Sequence, residues 1–319
     1  MGHILRVNGL DGTLLRQFGC ECLRCHAPGL QANTSMSLIS LEGDDTVHHL
    51  LFDIGHGVVD SLNASQHLQG AAARLDGLIL THWHPDHTAE LNRLVVASYG
   101  NRKRRGRDLS PVPLYCRAAT HNWLRREHGF LTANYLEPRL NHEPDPPGSV
   151  LGPLPIDLPG VTITPVSVSH YTADQGANDA GTRYASAAYV IETDRSKAVL
   201  LWDIDSDNEW LANPERAAEV EAVALLRDAD LLFIDTTFWG RKLKRATHPS
   251  FSNVRRYART LRPRQTLLMH LSGHLDQPGN PGWGWTNERW TAEARAAWAA
   301  DGLAGDVRAP HTGECFALD

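Results

Sequence analysis

The stretch Leu78 to His87, LILTHWHPDH, constrains this chain more than any other. Gly77-Leu78-Ile79-Leu80 has the length and apolar character of a short buried strand. His82, His84, Asp86 and His87 follow it directly, with Pro85 stiffening the turn between them. Three imidazoles and a carboxylate so close together are costly to bury unless a cation neutralises them, and this mixture suits zinc, manganese or iron. His82 and His84 alternate and can reach one ion, whereas Asp86 and His87 are offset toward a second.

Other apolar runs also stop at a ligand-type residue. Val161 to Ser169 delivers His170, Ala198 to Leu201 leads through Trp202 to Asp203, Leu231 to Ile234 ends at Asp235, and Thr266 to Met269 ends at His270 with His274 beyond. Val47 to Phe52 ends at Asp53, which reads either as a turn residue before Gly55 or as a carboxylate that orients the metal-binding loop. Strand ends that repeatedly carry His or Asp are the pattern of an α/β enzyme whose active site lines one edge of its sheets. Further strands are expected over His3 to Val7, Ser35 to Leu41, Leu114 to Cys116 and Ser186 to Glu192. Helices are expected over Val58 to Leu68, Thr88 to Tyr99, Thr120 to His128 and Phe251 to Leu261. The basic run Arg102 to Arg107 reads as a solvated loop, with contact to a phosphate-bearing substrate as the alternative. Proline and glycine accumulate between Asn141 and Gly160, read as a surface crossover between two halves of one domain spanning 1–319.

Cys20, Cys22 and Cys25 lie together in Gly19-Cys20-Glu21-Cys22-Leu23-Arg24-Cys25, while Cys116 and Cys315 stand apart. In a reducing compartment such a cluster is a thiolate metal site before it is a disulfide framework, the alternative being three buried thiols. His26 is the nearest fourth ligand, but adjacent residues chelate one tetrahedral ion poorly, so a distant residue is favoured. A net charge of −6 with 21% charged residues gives no reason to expect a nucleic acid or an anionic membrane as partner. No apolar run approaches a membrane span, and MGHILRVNGL lacks the regions of a secretion signal, so the expected location is the cytoplasm.

The HxHxDH arrangement at His82 to His87, the GCEC-x2-C loop, and the strand ends at His170, Asp203 and His270 resemble the metallo-β-lactamase superfamily. Within it, the chain is most similar to the PhnP-type phosphoribosyl cyclic phosphodiesterases. The resemblance implies an α/β fold of the αββα four-layer sandwich type. It also implies one divalent ion on His82, His84 and His170, a second on Asp86, His87 and His270, and Asp203 bridging both. The ions would be zinc or manganese, with iron possible. It implies a structural zinc on Cys20, Cys22, Cys25 and His274, the segment His270 to His274 being one residue longer here than in the family. His248 matches a family histidine placed to protonate the leaving group, so His248 and Asp86 are the catalytic candidates.

Relative to that family the chain is longer around Arg102 to Arg107, Thr172 to Arg183 and Asp276 to Glu288. The last insertion, part of a Trp-rich segment near 276–290, carries Trp283 and Trp285, which could line a pocket or a homodimer contact. A second resemblance, to the pyrroloquinoline quinone synthesis protein B group, rests on the cysteine loop and on Asp235-Thr236-Thr237-Phe238-Trp239. The expected function is hydrolysis of a small or cyclic phosphodiester by a dinuclear centre, and the rival is iron-dependent oxygenation on the same fold.

Overall fold

The computed structural model describes residues 1–142, 145–176, 184–240, 247–272 and 278–318. Its strands are β1 Gly2–Gly9, β2 Ser35–Glu42, β3 Asp45–Phe52, β4 Gly77–Ile79, β5 Val112–Arg117, β6 Leu136–Asn141, β7 Thr162–Ser167, β8 Ala187–Glu192, β9 Lys197–Leu201, β10 Leu231–Asp235, β11 Gln265–Met269, β12 Asp306–Arg308 and β13 Cys315–Ala317. They form a seven-stranded sheet in the order β13-β1-β2-β3-β4-β5-β6 and a six-stranded sheet in the order β12-β11-β10-β9-β8-β7.

Each sheet joins an antiparallel part to a parallel part. In the first, β1, β2 and β3 pair antiparallel and β3 to β6 parallel; in the second, β7, β8 and β9 pair antiparallel and β9 to β12 parallel. Alternation along the strands builds the layers. Met36, Leu38, Leu50, Phe52 and Ile79 share one apolar cluster with the second sheet, while Ile39, Leu51, Leu78 and Leu114 belong to another with Val58, Leu62, Leu91, Val95 and Leu124 from helices. The second sheet is covered by Ala217–Leu226, Phe251–Leu261 and Asn287–Ala300, whose Val223, Val254, Leu261, Trp290 and Trp298 join the first cluster. The result is the αββα sandwich, with the carboxyl ends of β3, β4, β7, β9, β10 and β11 supplying ligand-type residues of the site.

Some expected elements end elsewhere. The helix after Asp53 stops at Asn63, and Gln66–Leu68 is a separate 3-10 turn. Pro85–Thr88 is a short helix with Pro85 in its first turn, where the missing N–H costs nothing. The next helix, Leu91–Arg104, takes in the first part of the basic run, which is therefore not a loop up to Arg104. Cations there suit the negative end of the helix dipole. Of the segment Thr172 to Arg183, the part up to Gly176 is helical and the remainder lies outside the described residues.

Candidate metal centre

The buried side of the site begins at Asp53, at the end of β3, whose backbone takes the left-handed φ of 58°. Its Oδ1 accepts from Thr81 N at 2.8 Å. Its Oδ2 accepts from Thr81 Oγ1, His87 Nδ1 and Trp202 Nε1, each at 2.8 Å. One carboxylate thus ties β3 to the histidine loop and to the end of β9, and it turns His87 Nε2 away from itself. Gly55 is the second clamp on that loop, because a Cβ there would stand 1.8 Å from Asp86 O. Asp203 and His270 also adopt left-handed φ, 51° and 56°. Strained backbone of this kind gathers where side-chain aim matters.

Two groups of ligand atoms result, each with all its atoms within 4.8 Å of one another: His82, His84, His170 and Asp203, and Asp86, His87, Asp203 and His270. Asp203 faces both, with Oδ1 3.4 Å from His170 Nε2 and Oδ2 2.9 Å from His270 Nε2. His87 Nε2 comes within 2.6 Å of Asp203 Oδ2, but off the direction of a hydrogen bond. His82 Nε2, His87 Nε2 and Asp203 Oδ2 are buried without a hydrogen-bond partner among the described residues. Orphaned lone pairs aimed at common points are what a divalent ion would satisfy, and the donor set fits it.

The charges agree with that fit. Burial holds His82 and His170 well below the usual imidazole range, the carboxylate of Asp203 notwithstanding, so both are neutral and ready to coordinate. Burial opposes charge on His87 and His270 too, but Asp203 and its neighbouring carboxylates outweigh it and raise both well above the usual range. Asp86 and Asp203 are held well below theirs, burial being overcome by His87 and His270. A cation entering the second group therefore displaces protons.

In the sequence Asp235 was a strand end and the first residue of the Asp235 to Trp239 segment, and the structure gives it a specific contact. His248 Nδ1 lies 2.9 Å from Asp235 Oδ2, and Asp235 Oδ1 accepts from Thr237 N and Oγ1 at 3.1 and 2.9 Å. The His248 ring stacks on His270 at 4.8 Å. Asp203, Asp235, His248 and His270 form a third group able to hold an ion, but here the His248 nitrogen facing the carboxylates already has its hydrogen bond. No signal short of contact reveals this pair, since the two residues stand thirteen apart in the sequence.

Cys20, Cys22 and Cys25 bring their sulfurs within 4.8 Å of one another. Backbone N–H groups point at them: Cys22 N to Cys20 Sγ at 3.5 Å, Cys25 N to Cys22 Sγ at 3.4 Å and Gln17 N to Cys25 Sγ at 3.2 Å. That pattern favours thiolates and fits a structural zinc. The contact with Cys22 N lowers Cys20, while burial pushes Cys25 up to about 12. His274, the expected fourth ligand, lies outside the described residues. Trp285 is buried, against Trp239 at 5.0 Å and Trp290 at 5.5 Å, so it serves packing and not an exposed contact. Its loop presses on the cysteine turn at Gly284, where a Cβ would sit 2.6 Å from Cys22 Cβ.

The model of the beta-lactamase superfamily domain matches residues 48–271, more than half of the chain. The chain belongs to that family and has the metallo-β-lactamase fold, the fold of metal-dependent hydrolases. Among solved structures it is similar to a diphosphatase of the PhnP family, at 19% identity and a TM-score of 0.66, with 99% of this chain and 97% of that one covered. Zinc-bound PqqB from Methylobacterium extorquens is 15% identical with a TM-score of 0.63, covering 98% and 99%. The metallo-beta-lactamase fold protein YhfI from Bacillus subtilis is 18% identical with a TM-score of 0.61, covering 98% and 99%. No curated protein matches the sequence significantly.

Proposed function

We propose that this protein is a metal-dependent phosphodiesterase acting on a small or cyclic phosphodiester. The observation that carries the reading is one carboxylate, Asp203, shared by two His/Asp groups in which His82 Nε2, His87 Nε2 and Asp203 Oδ2 have no hydrogen-bond partner among the described residues. Two divalent ions held there would supply Lewis-acid charge and acidify a water near neutral pH. The chain itself does the rest. Asp53 fixes His87, and Thr13 Oγ1 donates to Asp86 Oδ2 at 2.8 Å, setting that carboxylate toward the site. Asp235 holds His248 by Nδ1 and leaves Nε2 to deliver a proton to the departing oxygen. No protein nucleophile is required. A net charge of −6 favours a small substrate over a polyanion.

The test is hydrolysis of bis-p-nitrophenyl phosphate and of cyclic phosphodiesters by protein loaded with zinc or manganese. Because the similar PhnP-family protein is a diphosphatase, a diphosphate belongs in the same assay. Turnover of a phosphodiester is expected. Turnover of none, with oxygen consumed by the protein loaded with ferrous iron, would replace this reading with the oxygenase.

A further inference from the structure

A cleft of about 1030 Å³ opens between the cysteine turn, the segment after the helix Val58–Asn63 and the turn before β13. None of the metal-centre ligands His82, His84, Asp86, His87, His170, Asp203 and His270 lines it. Arg6, in β1, reaches it while only 5% exposed. The guanidinium is held by neutral oxygens: Nη1 donates to Asn8 Oδ1 at 2.7 Å and to Ser61 Oγ at 3.1 Å, and Nη2 to Ser61 O at 3.0 Å. That leaves two of its five N–H groups uncommitted among the described residues, and no carboxylate pairs with it there. Burial pushes its pKa below the ordinary value, and only the Cys315 thiol acts against this.

The rest of the cleft does not cancel the charge. Arg24, also buried in its wall, is paired with Asp11, so those two balance, and Arg24 Nε still lacks a partner among the described residues. Glu314, beside Cys315, is turned to Arg308 at 2.6 Å. Glu288 is the remaining carboxylate of the lining and is exposed, with His311 nearby. Buried charges are normally paired, and a buried cation with no carboxylate partner in the wall of a cleft is suited to pairing with an oxyanion.

We propose that this cleft binds a small organic oxyanion, its phosphate or carboxylate head on Arg6. The site is separate from the metal centre, and the proposal does not rest on the phosphodiesterase reading.

The test titrates inorganic phosphate, and acetate in parallel, into the metal-loaded full chain while following the imidazole NMR signals of His67 and His311, which line the cleft. Saturable shifts with either anion are expected, and the parallel arms tell which head is preferred. The shifts should persist in His84→Ala, which disturbs the metal centre. Arg6→Met should weaken the anion about tenfold or more, the usual scale for a hydrogen bond to a charged group. If Arg6→Met does not fold, the titrations of the wild type and His84→Ala decide. No shift in the wild type overturns the proposal, and so does a shift lost in His84→Ala, or one kept at full affinity in a folded Arg6→Met.

Discussion

His248 stands where two roles meet, close enough to Asp203 and His270 to join an ion and close enough to Asp235 to be held as a proton donor. The 2.9 Å contact at Nδ1 decides for the second, because it occupies the nitrogen that faces the carboxylates. His248→Ala should therefore leave metal content intact and cost roughly 10²- to 10⁴-fold with an alkoxide leaving group, the range for general acid catalysis. The loss should shrink with a nitrophenolate, which departs without a proton. Asp235→Asn should show the same dependence on leaving group in weaker form. Equal losses for both leaving groups, measured as kcat, would mean that His248 acts through the metals.

The cysteine turn and the Trp loop form one structural unit, since Gly284 sits against Cys22 and Arg24 Nη1 donates to Trp285 O at 3.2 Å and to Asn287 Oδ1 at 3.0 Å. Cys22→Ser should lower the melting temperature by several degrees and reduce solubility while changing turnover per folded molecule little, because a structural ion contributes directly to folding. Melting at the wild-type temperature would show that the thiols hold no ion. Elements of this kind differ in how far the sequence discloses them. The histidine loop was legible because its ligands are crowded into one turn, and Phe251–Leu261 because its apolar residues fall on one face with Ser250 as cap. Ala217–Leu226 was not, since AAEVEAVALL is apolar around most of its circumference and shows no stripe. Nor was β13, whose three residues become a strand only by pairing with Ile4 to Arg6 at the far end of the chain. Trp285 read as an insertion because its partners, Trp239 and Trp290, are brought to it by tertiary packing alone.

At the scale of the molecule, two sheets of similar construction place their strand ends on one common site, and polar groups buried elsewhere in the sheets leave a mark on stability. His49 is fully buried on the outer face of the first sheet, its Nδ1 2.7 Å from Arg74 O and its Nε2 2.9 Å from Ser37 Oγ. Burial pushes its pKa from 6.5 down to about 4. Below pH 6.5 the unfolded chain takes up a proton that the fold refuses, so this contribution is full above 6.5 and is lost as pH falls toward 4. It amounts to about 3 kcal/mol. Asp174, raised to about 6 by burial, acts with the opposite sign over much of that window. The difference in unfolding free energy between wild type and His49→Gln should accordingly narrow as pH falls from 6.5 to 4, and a constant difference would contradict the assignment. That Asp203 joins two ion sites into one catalytic centre can be tested by counting exchangeable divalent ions per chain after dialysis of wild type and Asp203→Asn. Two are expected in the wild type beyond any held by the cysteines, and loss from both sites together in the variant. Retention of two exchangeable ions by Asp203→Asn would contradict it.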